Sequence, residues 1–426
     1  MPIEPERGGT AEIAVRQRTA RRAKSYGDSI WEELAALFDR HPHMVYFGDG
    51  SPAKDAMPVE RLKHAAATAW ELAPDMLGYG ESAGFEPLRA LIARRMAARG
   101  IHADPSTILV TNGSTQGIEL TAKLMLDPGD AVIIEEPTFV GALQTYAGYE
   151  ARFVPVPMDA EGMRIDALER ALASDERIKI IYTIPTFQNP TGVTMPLARR
   201  EALLSLARAR AIMVVEDDPY GELRYDGEPV PPLRALDPTV VHLGTFSKTI
   251  APALRVGWMV APPEFIPPFI AAREAADISN ERLTMRTVYH TAVDFLDGHV
   301  AGARALYRGR RDALLAGLAA NMPPGVQWSR PEGGFFVWVT LPEGSSTDDL
   351  MPRAADQGVI FFPGSWFYPN QDVHNALRLS FSTLTEEMIS EGTKRLGAAI
   401  RAYLRVETPI DAEAPSVHQG APIPVG

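Results

Sequence analysis

A lysine becomes a reactive amine when it is stripped of water, and one stretch of this chain is suited to do that. Gly244-Thr245-Phe246-Ser247-Lys248 follows an apolar run, Val240 to Leu243. Arg255 comes seven residues after the lysine, just before a second apolar run, Val256 to Pro262. Desolvation lowers a lysine pKa, and a neutral amine forms an imine with a carbonyl group. Thr245, Ser247 and Arg255 together offer the hydroxyls and guanidinium that hold an anion such as a phosphate. Read bare, the same residues also describe a surface lysine after a strand.

Other polar residues stand at the ends of apolar runs. Thr111-Asn112-Gly113-Ser114-Thr115-Gln116 lies between a predicted strand, Thr107 to Val110, and a predicted helix, Ile118 to Leu126. Free backbone N–H groups at such a turn form an anion site, and a plain Ser/Thr N-cap has the same sequence. The run Ala211 to Val215 ends in Glu216-Asp217-Asp218, with Tyr220 close behind. Three carboxylates at a buried strand end need a cation, unless the turn faces solvent. Asn189-Pro190-Thr191-Gly192 is turn chemistry after another strand. Phe139, after Glu136-Pro137-Thr138, is an aromatic that core packing alone would also explain. Arg378 sits on one face of the alternating segment Asn375 to Ser382, where a half-buried guanidinium wants a bidentate partner, a structural ion pair included.

The elements that must position these residues alternate between strand and helix. Strands are predicted at Asp130 to Glu135, Ala151 to Pro157 and Ile178 to Ile184, with helices near Asp166 to Ala173 and Pro196 to Ala209. This alternation predicts an α/β fold, a largely parallel sheet with helices on both faces. A long helical region, about Glu264 to Leu315, leads to further strands at Gly333 to Val339 and Val359 to Gly364, and a last helix over Thr385 to Val406. Ile30 to Phe38 has helical apolar spacing. The chain has 426 residues, 46% of them hydrophobic, enough for two or three domains. Its net charge of −12, with no basic run at any motif, argues against a nucleic-acid partner. The absence of cysteine excludes disulfides and thiolate metal sites, and no metal is expected. No apolar stretch is long enough to span a membrane, and the acidic N-terminus is unlike a signal peptide, so a cytoplasmic protein is expected.

The lysine segment, with its hydroxyls, arginine and glycine, resembles that of the class I/II aminotransferases, which use pyridoxal 5′-phosphate (PLP). The aminoadipate/kynurenine aminotransferase-like branch is the most similar, and the likeness runs from about Val45 to about Ala399. It implies a fold type I PLP-transferase with a large PLP-binding domain over 71–305 and a smaller α+β domain over 306–406. Residues 27–70 add the start of the small domain and a pocket loop, 1–26 form an arm, and 407–426 a disordered tail. The resemblance makes Lys248 the imine lysine and general base and Asp217 the partner of the pyridine nitrogen, in a D-x-x-Y spacing with Tyr220. Tyr220 and Asn189 then reach the phenolate oxygen, with a cis bond at Asn189-Pro190. Phe139 stacks on the ring. Gly113, Ser114, Thr115, Gln116, Thr245, Ser247 and Arg255 hold the cofactor. Arg378 clamps the substrate α-carboxylate. Tyr79, in a glycine-punctuated segment, serves the neighbouring subunit's site in a homodimer.

An aminotransferase acting on an amino acid and a 2-oxo acid by ping-pong chemistry is the leading expectation. The alternative is a PLP enzyme of the same fold doing elimination, replacement or cyclisation. A PLP-sensing regulator needs a DNA-binding domain for which residues 1–40 are too short. Substrate contacts are expected from Gly50 and Asp49 of the pocket loop, Trp31 of the preceding helix, Asn189 and Arg378. Asp49, where the family usually has glycine, suits a neutral or cationic side chain better than an acidic one. The alternative has Asp49 facing solvent or pairing with Lys54.

Overall fold

The computed structural model describes residues 19–25, 37–38, 40, 43–71 and 76–404. Trp31, most of the helix expected over Ile30 to Phe38, most of the arm and all of the 407–426 tail lie outside the described residues.

Eight strands form one sheet: β2 (Ile108–Thr111), β3 (Ala131–Glu136), β4 (Arg152–Asp159), β5 (Gly162–Met163), β6 (Ile178–Thr183), β7 (Met213–Asp217), β8 (Val241–Thr245) and β9 (Gly257–Val260). Their order is β2-β9-β8-β7-β6-β3-β4-β5, and β8, β7, β6, β3 and β4 run parallel. β5 and β9 run opposite to the other strands and pair antiparallel with β4, β8 and β2. Side chains alternate across a strand, so each face receives every second residue. In β3, Val132 and Ile134 enter one core with Ile118, Tyr146 and Phe269, while Ala131 and Ile133 enter another with Leu168 and Leu203. Apolar residues at both phases explain why the central strands read as continuous hydrophobic runs. The parallel strands all end at one edge, where Glu136, Thr183, Asp217 and Thr245 stand. Ligands in open α/β sheets bind beyond that edge.

Strands β10 (Gln327–Trp328), β11 (Phe336–Thr340), β13 (Phe362–Pro363) and β14 (Ala376–Ser380) make a small antiparallel sheet in the order β10-β11-β14-β13. A two-residue parallel pair joins β1 (Val45–Tyr46) to β12 (Val359–Ile360). The single run expected over Val359 to Gly364 is therefore two short strands in different sheets. The region expected to be helical from Glu264 to Leu315 is three helices, Ile266–Asp277, Arg282–Ala292 and Leu296–Asn321. The last runs through two further cores. Its Leu296 and Val300 pack with Ile92 and Val260, and its Ala303, Tyr307, Leu314 and Leu318 pack with Phe335 and Ile389. Among the described residues no helix is long and apolar enough to cross a membrane.

Candidate active site

Beyond the carboxyl ends of the parallel strands lies a cavity of about 300 Å³, with Lys248 in its wall. Lys248 is three residues past the end of β8, in a turn that begins with Thr245 and Ser247, both buried. Thr245 Oγ1 meets Ser247 Oγ at 2.9 Å and accepts from the Ser247 N–H at 3.1 Å, which closes the turn and sends the lysine inward. Its Nζ donates to the Gly50 carbonyl at 2.8 Å and lies 5.7 Å from the Tyr220 ring centre. Burial, then the Arg378 charge, lowers its pKa to about 8.

The three carboxylates at the end of β7 separate completely. Glu216 points to the side of the sheet away from the cavity, accepting from Leu233 N and pairing with His242 Nδ1 at 2.8 Å. Asp218 is held by Arg99 at 2.5 Å. Burial alone would raise its pKa, but the guanidinium pulls it below the usual range. Asp217 lines the cavity. Its Oδ2 accepts from the Tyr182 hydroxyl at 2.8 Å, and its buried Oδ1 has no partner. Burial raises its pKa to about 6, against the Tyr182 hydrogen bond and, more weakly, the nearby Ser114 side chain. A buried carboxylate oxygen aimed at a cavity fits a cation such as a protonated pyridine nitrogen.

Gly113, Ser114 and Thr115 also line the cavity, where helix Ser114–Met125 begins. Gly113 has φ 77° and ψ 170°, a region open essentially to glycine alone. Arg255 packs against it. A Cβ on Gly113 would stand 2.5 Å from Arg255 Nη2, which donates to the Asn112 carbonyl at 3.0 Å. With Thr245 and Ser247, these groups form an anion cradle at a helix N-terminus. The donor set therefore suits PLP at the ring nitrogen, the carbonyl carbon and the phosphate.

Asn189, joined to Pro190 by a cis bond, reaches the cavity from the turn after β6, and Phe139 from the turn after β3. Arg378, on β14, crosses from the small sheet. It donates to Asn189 Oδ1 at 2.9 Å and the Gly48 carbonyl at 2.6 Å, and its buried Nε has no partner. Phe336, Phe362 and Phe367 surround its guanidinium at 4.2, 4.7 and 5.0 Å. The alternative of a structural ion pair fails among the described residues, since no carboxylate bonds to it. Burial lowers its pKa to about 10.

Two expectations change, those for Gln116 and Asp49. Gln116 does not line this cavity: its amide bonds Asn112 N at 2.8 Å and Asp277 at 2.7 Å, so it shapes the loop behind the cradle. Asp49 does not line it either. Its carboxylate turns back on the loop and accepts from Ser51 N at 2.8 Å, although its charge still raises the pKa values of Lys248 and Arg378. Gly50 does line the cavity. Tyr79 is 86% exposed and away from the cavity of its own chain. Sequence reading passed over Tyr182, Glu135, Gln188 and the phenylalanines around Arg378, because each sits in an apolar strand or turn that core packing explains. Glu135 is buried, its pKa raised by burial to about 7 against bonds from Thr183, Gln188 and the Ile184 N–H. Gln188 also donates to the Pro137 carbonyl at 2.8 Å, which ties the Asn189 turn to the Phe139 turn.

The profile of the family Aminotransferase class I and II matches residues 42–396. The chain is 42% identical over 371 residues to an aromatic-amino-acid aminotransferase of Thermococcus litoralis, covering 85% of this chain and 89% of that one. It is 38% identical over 382 residues to a 2-aminoadipate transaminase of Thermus thermophilus, covering 88% and 94%. Among solved structures it is similar to kynurenine aminotransferase of Pyrococcus horikoshii, in complex with PMP (TM-score 0.88, 37% identity, 94% and 100% covered). It is also similar to the α-aminoadipate aminotransferase of Thermus thermophilus, complexed with N-(5′-phosphopyridoxyl)-L-leucine (TM-score 0.86, 35% identity, 92% and 100% covered). Nothing in these likenesses supports elimination or cyclisation. A chain so matched over most of its length, with an amine, an unpartnered carboxylate and an anion cradle around one cavity, belongs to the class I and II aminotransferases and transfers amino groups between α-amino acids and 2-oxo acids with pyridoxal phosphate.

Proposed function

We propose that Lys248 carries the cofactor and moves the substrate proton, that Arg378 fixes the substrate α-carboxylate, and that the preferred donor has a neutral, apolar or aromatic side chain. The observation that carries this reading is the pairing of an amine of lowered pKa with a buried guanidinium lacking a carboxylate partner, both facing one cavity. When bound, PLP supplies the electron sink for the bond-breaking step. Lys248 Nζ, neutral above about pH 8, takes the α-proton and later returns it. Asp217 Oδ1 stays ionised toward the ring nitrogen, and Tyr220 and Asn189 give polar contacts on the opposite edge. Thr115, Ser114, Gly113, Thr245, Ser247 and Arg255 hold the phosphate. Arg378 offers two N–H groups to a carboxylate, and its flanking phenylalanines exclude water, which strengthens the pair.

The donor preference rests on Phe139, Val140, Phe336, Phe362 and Phe367 in the lining, and on Asp49 near the two cations. A second carboxylate would find no further cation there among the described residues. The T. litoralis and P. horikoshii relatives are named for aromatic substrates. We further propose a homodimer in which Tyr79 serves the partner's site, supported by the exposure of Tyr79 together with Trp70 and Leu77.

Borohydride reduction of the loaded protein, followed by peptide mapping, tests the centre of this reading. The label is expected on Lys248, and Lys248→Ala is expected to fold but lose both the visible band and turnover. A label on another lysine overturns the assignment. Across a donor panel, phenylalanine, tyrosine or kynurenine is expected to exceed glutamate and aminoadipate in kcat/KM. A wide preference for an acidic donor overturns the substrate class.

A further inference from the structure

We propose that Tyr182 is the positioning residue of Asp217, its hydroxyl engaging Oδ2 so that Oδ1 alone faces the cofactor. The inference rests on the reading that Asp217 pairs with the ring nitrogen, and adds what holds Asp217 in that geometry.

The two residues sit on adjacent parallel strands. Tyr182 of β6 is in register with Val215 of β7, so Asp217, two residues on, shares the face Tyr182 occupies. Tyr182 is fully buried and Asp217 is 2% exposed. The phenol donates to Oδ2 at 2.8 Å, while Oδ1 is buried without a partner. A carboxylate is planar, so fixing one oxygen from within the protein fixes where the other points.

The tyrosine is itself braced. The buried Tyr146 ring meets it edge-on at 5.8 Å, and the Tyr146 hydroxyl lies 3.4 Å from Thr121 Oγ1. Thr121 belongs to helix Ser114–Met125, whose first turn lines the anion cradle, and Tyr146 belongs to helix Val140–Gly148, which starts after Phe139. The groups that hold Asp217 from behind thus stand on the elements that present the cradle and the stacking aromatic. A carboxylate that accepts a hydrogen bond is favoured in its charged form. Burial and the Asp217 charge hold the Tyr182 hydroxyl well above its usual pKa, so it remains a donor. The other titratable groups that interact with the pair are Glu135, Tyr146, Asp218, His242, Tyr220 and Lys248.

Tyr182→Phe deletes one oxygen and keeps the ring in the core. In the holoenzyme, the pH midpoint of the visible absorption band is expected to rise by on the order of one unit, because an Asp217 no longer held in place pairs less well with a positive ring nitrogen. The PLP dissociation constant is expected to rise roughly tenfold. With the donor, kcat is expected to fall while KM stays within about twofold, since Arg378 is untouched. Combined with Asp217→Asn, the substitution should shift the band no further than Asp217→Asn alone, because its effect passes through that carboxylate. A purely structural tyrosine predicts the opposite: an additive loss of Tm, with band midpoint and PLP affinity unmoved in Tyr182→Phe, and that result overturns the proposal. If Asp217→Asn also leaves the band unmoved, the proposal fails with the reading beneath it. If Asp217→Asn moves the band and Tyr182→Phe does not, only the positioning role fails.

Discussion

At the scale of single residues, the site depends on three neighbouring acids having different partners. Asp217 turns an unpartnered oxygen to the cavity, whereas Asp218, whose Oδ1 is also unpartnered, lies outside the cavity lining and pairs with Arg99. The two substitutions should therefore fail in different ways. Asp217→Asn removes a charge-assisted contact of about 1.5–3 kcal/mol, so kcat should drop on the order of 10- to 100-fold with Tm nearly kept. Asp218→Asn leaves the half-buried Arg99 guanidinium short of its counter-charge, which costs about 1–3 kcal/mol, so its main effect should be on Tm. Steady-state rates and thermal melts on both variants decide the matter, and equal rate losses with equal melts would contradict the assignment.

At the scale of elements, the turn from β2 into helix Ser114–Met125 works because its backbone takes a glycine conformation while Arg255 lies against it. Gly113→Ala forces a side chain into that region and against the guanidinium, a cost of about 1–3 kcal/mol concentrated on the cradle. PLP affinity should fall on the order of tenfold or more. Arg255→Ala should weaken it further than Ser114→Ala, since the charged contact contributes about 1.5–3 kcal/mol and a helix N-terminus about 0.3–1 kcal/mol when exposed. Fluorescence titration of the apoprotein with PLP measures all three. The reverse order of Arg255→Ala and Ser114→Ala would show that helix and backbone donors carry the phosphate.

At the scale of the whole molecule, the cavity is assembled from distant parts of the chain. Gly50 comes from the pocket loop, Asp217 and Lys248 from the large sheet, and Arg378 from the small one. Helix Leu296–Asn321 packs in one core with residues of the large sheet and in another with residues of the small one. The proposed dimer adds one more contributor. Mixed dimers of Tyr79→Phe and Lys248→Ala subunits should regain one intact site in each dimer, above the activity of either parent. Size measurements and assays at high dilution provide the control, and a fully active monomer would exclude a shared site.

Much of the site was legible in the sequence because its residues stand at strand ends. Lys248, Asp217, Asn189 and Gly113 each stand within a few residues of the end of an apolar run, and a parallel sheet brings such ends to one edge. The resemblance then supplied their roles. What the sequence did not contain was direction. Gln116 stands in the first turn of a helix and Asp49 in a loop, yet one side chain bonds Asn112 and Asp277 and the other its own loop, and a motif cannot show which way a rotamer turns. Adjacent acids look equivalent in one dimension, and only packing sent Glu216 to one face, gave Asp218 an arginine and left Asp217 open. Tyr182 was hidden for the same reason. A tyrosine in an apolar strand is core by pattern, and its hydroxyl acquires a role only through the strand that register sets beside it. The order of residues along the chain determined the strand ends and so the chemistry on offer. The tertiary structure decided which polar atoms were left without partners, because burial removes water and leaves each group only the neighbours that folding supplies.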